Sequence, residues 1–266
     1  MTSEIEALYK PGNTFFHRLD PRTKLGWMLG MMIFSFLFFD PKVLFLVCVF
    51  NFALLLWSTG KYALTSPISE AMLLLAVPQI IVHGCVNVAG VTPVAFMGST
   101  ISIPLLGTLK WEGVYLGFSY AFRVLGVGYA TLLFIATTHP RDLVKGFERL
   151  GLPFKYSFMI MMSLQLIPEA IRETRIILEA QQSRGMKMRG FLERLRALLP
   201  VFIPITIGSM QRVQMMSMAL DARAYGAPVQ RTELRDFRLH KADKIMLCAI
   251  SIMIVIGIYL FLSKIL

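Results

Sequence analysis

Three stretches of this chain carry no Asp, Glu, Lys or Arg: Val43 to Gly60, Ala71 to Leu109 and Ile245 to Ser263. Uncharged apolar runs of about 18 residues or more are long enough to cross the hydrocarbon core of a bilayer as helices. The sequence therefore predicts an all-α, polytopic membrane protein. Only 16% of its 266 residues are charged, against about 25% in soluble domains.

Five spans are expected. Leu25 to Phe39 is a short first span, whose 15 uncharged residues cover only about 22 Å of helix, so that it either borrows from Thr23 and Lys24 or meets a thin region of the bilayer. "DPK" at 40–42 forms a tight turn, because the residue before a proline is pushed out of the helical region. The second span is Val43 to about Ser58, and the third is Ile68 to Ala89, with Pro78 as a kink. Residues 90–110, rich in Gly, Pro, Ser and Thr, read as an irregular loop at the membrane interface. The fourth span is about Gly113 to Thr137 and the fifth about Ala242 to Leu262. This gives an N-terminal membrane region of residues 1–138, a cytoplasmic module of residues 139–241 and a C-terminal span of residues 242–266.

The net charge of +11 is concentrated: seventeen of the 27 Lys and Arg lie between His139 and Lys241, beside nine acids. Basic loops between spans stay on the cytoplasmic side, so nucleic acid need not be invoked. The same rule puts the N-terminus in the cytoplasm and the C-terminus outside. The first 24 residues offer no apolar region for a cleavable signal. Cys48, Cys85 and Cys248 lie in apolar segments and read as small buried residues. The four histidines are scattered, and no metal site is expected. No G-x-x-x-x-G-K-[ST], G-x-S-x-G or H-E-x-x-H pattern occurs, so nothing marks the chain as an ATPase, hydrolase or metalloprotease. "GWMLG" at 26–30 and "GVYLG" at 113–117 are G-x-x-x-G patterns, which can bring helices close but which glycine-rich spans often contain by chance. Arg123 stands in the middle of the fourth span. It is either a functional charge or a cation satisfied by loop carbonyls or by snorkelling, because Glu112 is too distant to pair with it.

Within the module, "THPRDLVKGFERLGLP" (138–153) has the spacing of a short amphipathic helix, with Leu143, Val144, Phe147 and Leu150 recurring on one side. A longer helix is expected from Tyr156 to Gln182, with opposite charges paired at Glu169–Arg172 and Arg175–Glu179. The apolar stretches 156–167 and 197–207 are too short to span and read as interfacial. The first helix finishes at Ser183, Arg184 and Gly185. A second, through "IPITIGSMQRVQMMSMALDARAYGAP", finishes at Ala222, Arg223 and Ala224, with Gly226 and Pro228 as stops. A cation at a helix C-terminus gains about 0.3–1 kcal/mol from the dipole. The small neighbours add room for each guanidinium to enter a pocket on another molecule and fork onto a carboxylate. Met210, Val213, Met215, Met216 and Met218 read either as a pliable apolar surface of the kind that fits several partners or as packing against lipid.

"HRLDPRTKL", "TTHPRDLVKGFERLGLP", "IPEAIRETRIILEAQQSRG" and "MALDARAYG" occur in that order, and jointly the chain resembles the transmembrane T component (EcfT/CbiQ-like) of energy-coupling factor (ECF) ABC-type transporters. The resemblance spans the whole chain. It implies a non-catalytic scaffold in a prokaryotic cell membrane, whose two long cytoplasmic coupling helices cross. Each helix ends in an Ala-Arg-Gly-like motif, and its arginine docks on one of two ATPase subunits. Arg184 and Arg223 take those places, with Ser183 standing for the usual alanine and Ala224 for the usual glycine. The resemblance further implies a small membrane-embedded substrate-binding S component as partner, contacting Met210 to Met218. It implies no cofactor on this chain, ATP and Mg being used by the ATPases, and vitamin uptake shared among several S components. A dedicated cobalt or nickel system is the alternative. An intramembrane enzyme using Asp142, Glu148 and Glu169 is the competitor from another class. Against it, these acids are spaced for salt pairs and not for a catalytic pair.

Overall fold

The computed structural model describes residues 12, 14–60, 66–86, 95–96, 99–100, 102–103, 107–108, 110–186, 190–227 and 241–265. Lys61, the end of the third expected span, most of the 90–110 loop and Pro228 lie outside them. The described residues divide into two compact units, one within Leu152–Asp236 and the other within Glu4–Gly151 and Phe237–Leu266.

The larger unit contains α1 (Phe15–Arg18), α2 (Pro21–Leu37), α3 (Pro41–Thr59), α4 (Pro67–Val86), α5 (Trp111–Thr137), α6 (Pro140–Arg149) and α9 (Lys241–Ile265). Between α4 and α5, the described residues form two minimal antiparallel hairpins. Ala95–Phe96 (β1) pairs with Ser99–Thr100 (β2), and Ser102–Ile103 (β3) with Gly107–Thr108 (β4). Proline stands at the first helical position of α2, α3 and α6, where a missing N–H costs nothing and φ is already set. Among the described residues, four helices are long and apolar enough to cross a membrane: Pro41–Thr59, Pro67–Cys85, Trp111–Thr137 and Lys241–Leu260. The expected first span is the 17-residue α2, which starts at Pro21 and so takes in Arg22 and Lys24.

Packing directions show how α2 joins the other four. It runs antiparallel to α5, with Lys24 touching Thr137 at one end and Ser35 touching Arg123 further along. It runs parallel to α9, with Gly26, Gly30 and Phe34 against Leu247, Ile250 and Gly257 in turn. α3 lies parallel to α5 through Phe45–Phe122 and Phe52–Tyr129, and α4 lies antiparallel to α5. These directions alternate as five successive crossings require. Both G-x-x-x-G patterns are helix contacts. A Cβ on Gly113 would sit 2.6 Å from the His83 carbonyl oxygen, one on Gly117 2.9 Å from the Ile80 backbone, and one on Gly30 2.6 Å from Ile250. The core between these helices is built on Leu55, Leu125, Tyr129, Leu132 and Leu133.

Several buried polar groups of this unit serve helix ends. Asp20 caps α2 by accepting from the Arg22 N–H at 3.0 Å. Asp243, only 1% exposed in the first turn of α9, accepts from the Asp20 N–H (2.9 Å) and the Thr23 hydroxyl (3.1 Å). Lys24, 4% exposed, donates to the last carbonyl of α5, that of Thr137, at 2.8 Å. The start of α2, the end of α5 and the start of α9 are therefore bound together, which explains why "HRLDPRTKL" places its charges so densely. Cys48 and Cys85 are buried as expected, but Cys248 is exposed. The face of α9 carrying Leu247, Ile250 and Ile254 is used against α2, and Cys248 falls outside it.

The smaller unit is a pair of long helices, α7 (Phe154–Ser183) and α8 (Phe191–Ala222). The stretches 156–167 and 197–207 are continuous parts of them, and Pro168, Pro200 and Pro204 lie inside the helices.

Candidate functional site

Arg184 is the C-cap residue of α7. After it, Gly185 takes a left-handed conformation, φ +92°. The Gly185 N–H bonds back to the Gln182 carbonyl at 2.9 Å and the Met186 N–H to Gln181 at 3.2 Å. These two bonds, one spanning three residues and one five, are the Schellman closure, which satisfies carbonyls that a helix end leaves orphaned. The end of α8 repeats it position for position. The Ala224 N–H bonds to Asp221 (3.0 Å) and the Tyr225 N–H to Leu220 (3.0 Å), with Ala224 left-handed at φ +54°. Arg223 thus occupies in α8 the place that Arg184 occupies in α7. Both arginines are solvent-exposed, as are the flanking Ser183, Gly185, Ala222 and Ala224. Neither guanidinium has a hydrogen-bond or ion-pair partner among the described residues.

Ala224 is the one non-glycine residue with positive φ among the described residues. Left-handed backbone costs an L-residue about 1–2 kcal/mol, so this tip is closed under strain where its counterpart, with Gly185, is not.

α7 and α8 are antiparallel. Tyr225 makes a tilted ring contact with Phe158 at 4.6 Å, Arg212 pairs with Glu173, and Gln181 reaches the Pro200 carbonyl at 3.4 Å. Proline chemistry accounts for the last contact. Pro204 has no N–H to return to the Pro200 carbonyl four residues back, and the Gln181 amide takes its place. Because the helices run in opposite directions, the two arginines lie at opposite ends of the pair. Pro200 sits beside Gln181, near Arg184, so the separation is about 35 Å at 1.5 Å per residue from Pro200 to Arg223.

The other sequence-marked residues fall as follows. Met210, Val213, Met215 and Met218 are exposed, whereas Met216 is half-buried. At 100° per residue, Met210 and Val213 share one flank of α8, and Met215 and Met218 lie on another. The flank of Met210 extends back through Leu199, Phe202 and Ile203, all exposed. This apolar stripe is longer than the methionines alone suggested, and its i, i+3, i+4 spacing was the signal for it. Glu169 pairs with Arg172 at 3.3 Å. Asp142 and Glu148 lie on α6, in the other unit.

Arg123 has a structural partner set. Its Nε donates to the Ser35 carbonyl at 3.0 Å and an η-nitrogen to the Phe38 carbonyl at 2.7 Å. Its guanidinium also lies over the rings of Phe39 (4.8 Å), Tyr120 (5.3 Å) and Phe36 (5.4 Å). Helix α2 stops at Leu37, leaving terminal carbonyls with no water to bond in an apolar layer. Arg123, 8% exposed, supplies the donors.

The family model described as cobalt transport protein, CbiQ, matches residues 12–234. The chain belongs to the CbiQ family. The matched region contains α2 to α8 and both arginine tips. Among curated relatives, it is 29% identical over 255 residues to the energy-coupling factor transporter transmembrane protein EcfT of Bacillus selenitireducens, covering 92% of each chain. It is 26% identical to EcfT of Macrococcus caseolyticus, over 96% of this chain and 97% of that one. It is 28% identical to EcfT of Staphylococcus aureus, over 98% and 97%. This CbiQ-family chain is therefore similar to transporter transmembrane subunits over nearly its whole length.

Proposed function

We propose that the chain is the transmembrane coupling subunit of an energy-coupling factor importer, non-catalytic itself and driven by two cytoplasmic ATPase subunits that bind ATP and Mg. The observation that carries this reading is the duplicated helix tip: two exposed arginines at the same cap position, closed by the same pair of backbone bonds, at opposite ends of one antiparallel helix pair. One tip engages each ATPase, its arginine forking onto a carboxylate with Ser183 and Gly185, or Ala222 and Ala224, giving clearance. Movement of the tips is passed to a membrane-embedded S component that packs on the exposed apolar side of α8, including Met210 and Val213. The basic segments face the cytoplasm, with the N-terminus inside and the C-terminus outside.

Vitamins are the substrate class that the resemblance to energy-coupling factor transporters implies, and the one preferred here. The cobalt description of the matching family favours a dedicated metal importer as the second reading. Affinity purification of the chain from its native membrane tests both. Two ATPases and a small membrane protein co-purify, and the identity of the latter separates vitamin from metal. Arg184→Ala and Arg223→Ala each lower ATPase recovery, and the double variant abolishes uptake. Wild-type uptake with ATPases still bound in the double variant overturns the docking role.

A further inference from the structure

Two tips about 35 Å apart act as one device only if something fixes their spacing, and one polar contact stands where it would do so. Glu173 of α7 pairs with Arg212 of α8, the two side chains being 26% and 28% exposed. One turn before Arg212, Gly208 offers bare backbone: a Cβ there would come within 2.6 Å of a Glu173 carboxylate oxygen. The carboxylate is thus held between the guanidinium and the glycine. Partial burial strengthens such a pair over a fully solvated one.

The placement is symmetric. Arg184 follows Glu173 by eleven residues, and Arg223 follows Arg212 by eleven. Eleven residues are three helical turns to within about 20°, and about 16 Å of length. Each arginine thus stands at the same distance from the contact and on the same side of its helix as its own partner in it. The outer contacts of the pair differ from each other: a tilted ring contact of Tyr225 with Phe158 near Arg223, and a hydrogen bond from the Gln181 amide to the Pro200 carbonyl near Arg184.

We infer that Glu173 and Arg212, seated on Gly208, are positioning residues that form the pivot between the two arginine tips and set their separation. This rests on the coupling function proposed above. Rotation about the contact moves both tips by equal amounts, so an ATPase displacement at one is matched at the other.

The test has two arms. In the full-length chain with Cys48, Cys85 and Cys248 replaced by alanine, nitroxides at Ala180→Cys and Asp221→Cys report the spacing of the tips by electron–electron resonance. Glu173→Ala broadens the distance distribution at least twofold. Glu173→Gln, which keeps the side-chain shape and guards against a folding defect, broadens it in the same direction. Arg212→Lys, which keeps the charge, stays near wild type. An unchanged distribution in both Glu173 variants overturns the pivot. In the assembled transporter, Glu173→Ala keeps its ATPases but lowers substrate moved per ATP about tenfold, and an unchanged ratio also overturns it. Should the wild-type chain recover no ATPases, the proposed function falls, while the distance measurement still decides the pivot.

Discussion

Ala224 is the position where a one-carbon change gives the sharpest reading of how the tips are made. At φ +54° its left-handed conformation costs about 1–2 kcal/mol relative to ordinary helix, and glycine escapes that cost. Glycine also gives the unfolded chain more freedom, which returns about 0.4–1 kcal/mol to the unfolded side. Ala224→Gly is therefore expected to stabilise the closed tip by about 1 kcal/mol, which lowers its opening equilibrium about fivefold. The methyl group is exposed, so little packing is lost with it. The opposite change is available on α7. Gly185 has φ +92° with open space around a built Cβ, so Gly185→Ala imposes a purely torsional cost of similar size. Hydrogen exchange followed by mass spectrometry reads both. In Ala224→Gly, the Ala224 and Tyr225 amides, bonded to Asp221 and Leu220, exchange about fivefold more slowly. In Gly185→Ala, the Gly185 and Met186 amides, bonded to Gln182 and Gln181, exchange faster by a similar factor. Faster or unchanged exchange at Tyr225 in the glycine variant would refute the claim that backbone strain is stored at this tip.

Other outcomes follow from contacts in the larger unit. Gly117→Leu forces a side chain against the Ile80 backbone, 2.9 Å from its first carbon, and lowers stability by about 2–3 kcal/mol or rearranges the α4–α5 pair. A thermal shift in detergent measures it. Arg123→Leu leaves the Ser35 and Phe38 carbonyls without their donor and costs about 2–4 kcal/mol, while uptake per folded molecule is unchanged if the arginine is only structural. Asp243→Ala removes the acceptor shared by the Asp20 N–H and the Thr23 hydroxyl. It costs about 2–3 kcal/mol, seen as faster proteolysis near the start of α9.

The uncharged runs from Val43, Ala71 and Ile245 determined that this chain crosses a membrane, because no other fold hides so many contiguous apolar residues. Small residues beside Arg184 and Arg223, and the order of four motifs, were enough to mark the tips and the family. Local chemistry reaches that far because caps, turns and spans depend on neighbours in sequence. What sequence left open is set by partners distant along the chain. It left Arg123 between a functional charge and a satisfied one, and tertiary packing brings it to carbonyls 88 and 85 positions away. It placed Cys248 in a buried setting, and the choice of which face of α9 meets α2 exposed it. Asp243 attracted no attention in sequence, yet it anchors the start of a helix that begins 222 residues earlier, accepting from the Asp20 N–H and the Thr23 hydroxyl. The αL closure at Ala224 was hidden as well, since alanine does not advertise positive φ and only the chain's path requires it. Antiparallel pairing of α7 and α8, which sends the two arginines to opposite ends, comes from contacts among Phe158, Glu173, Gly208, Arg212 and Tyr225 that no local pattern specifies.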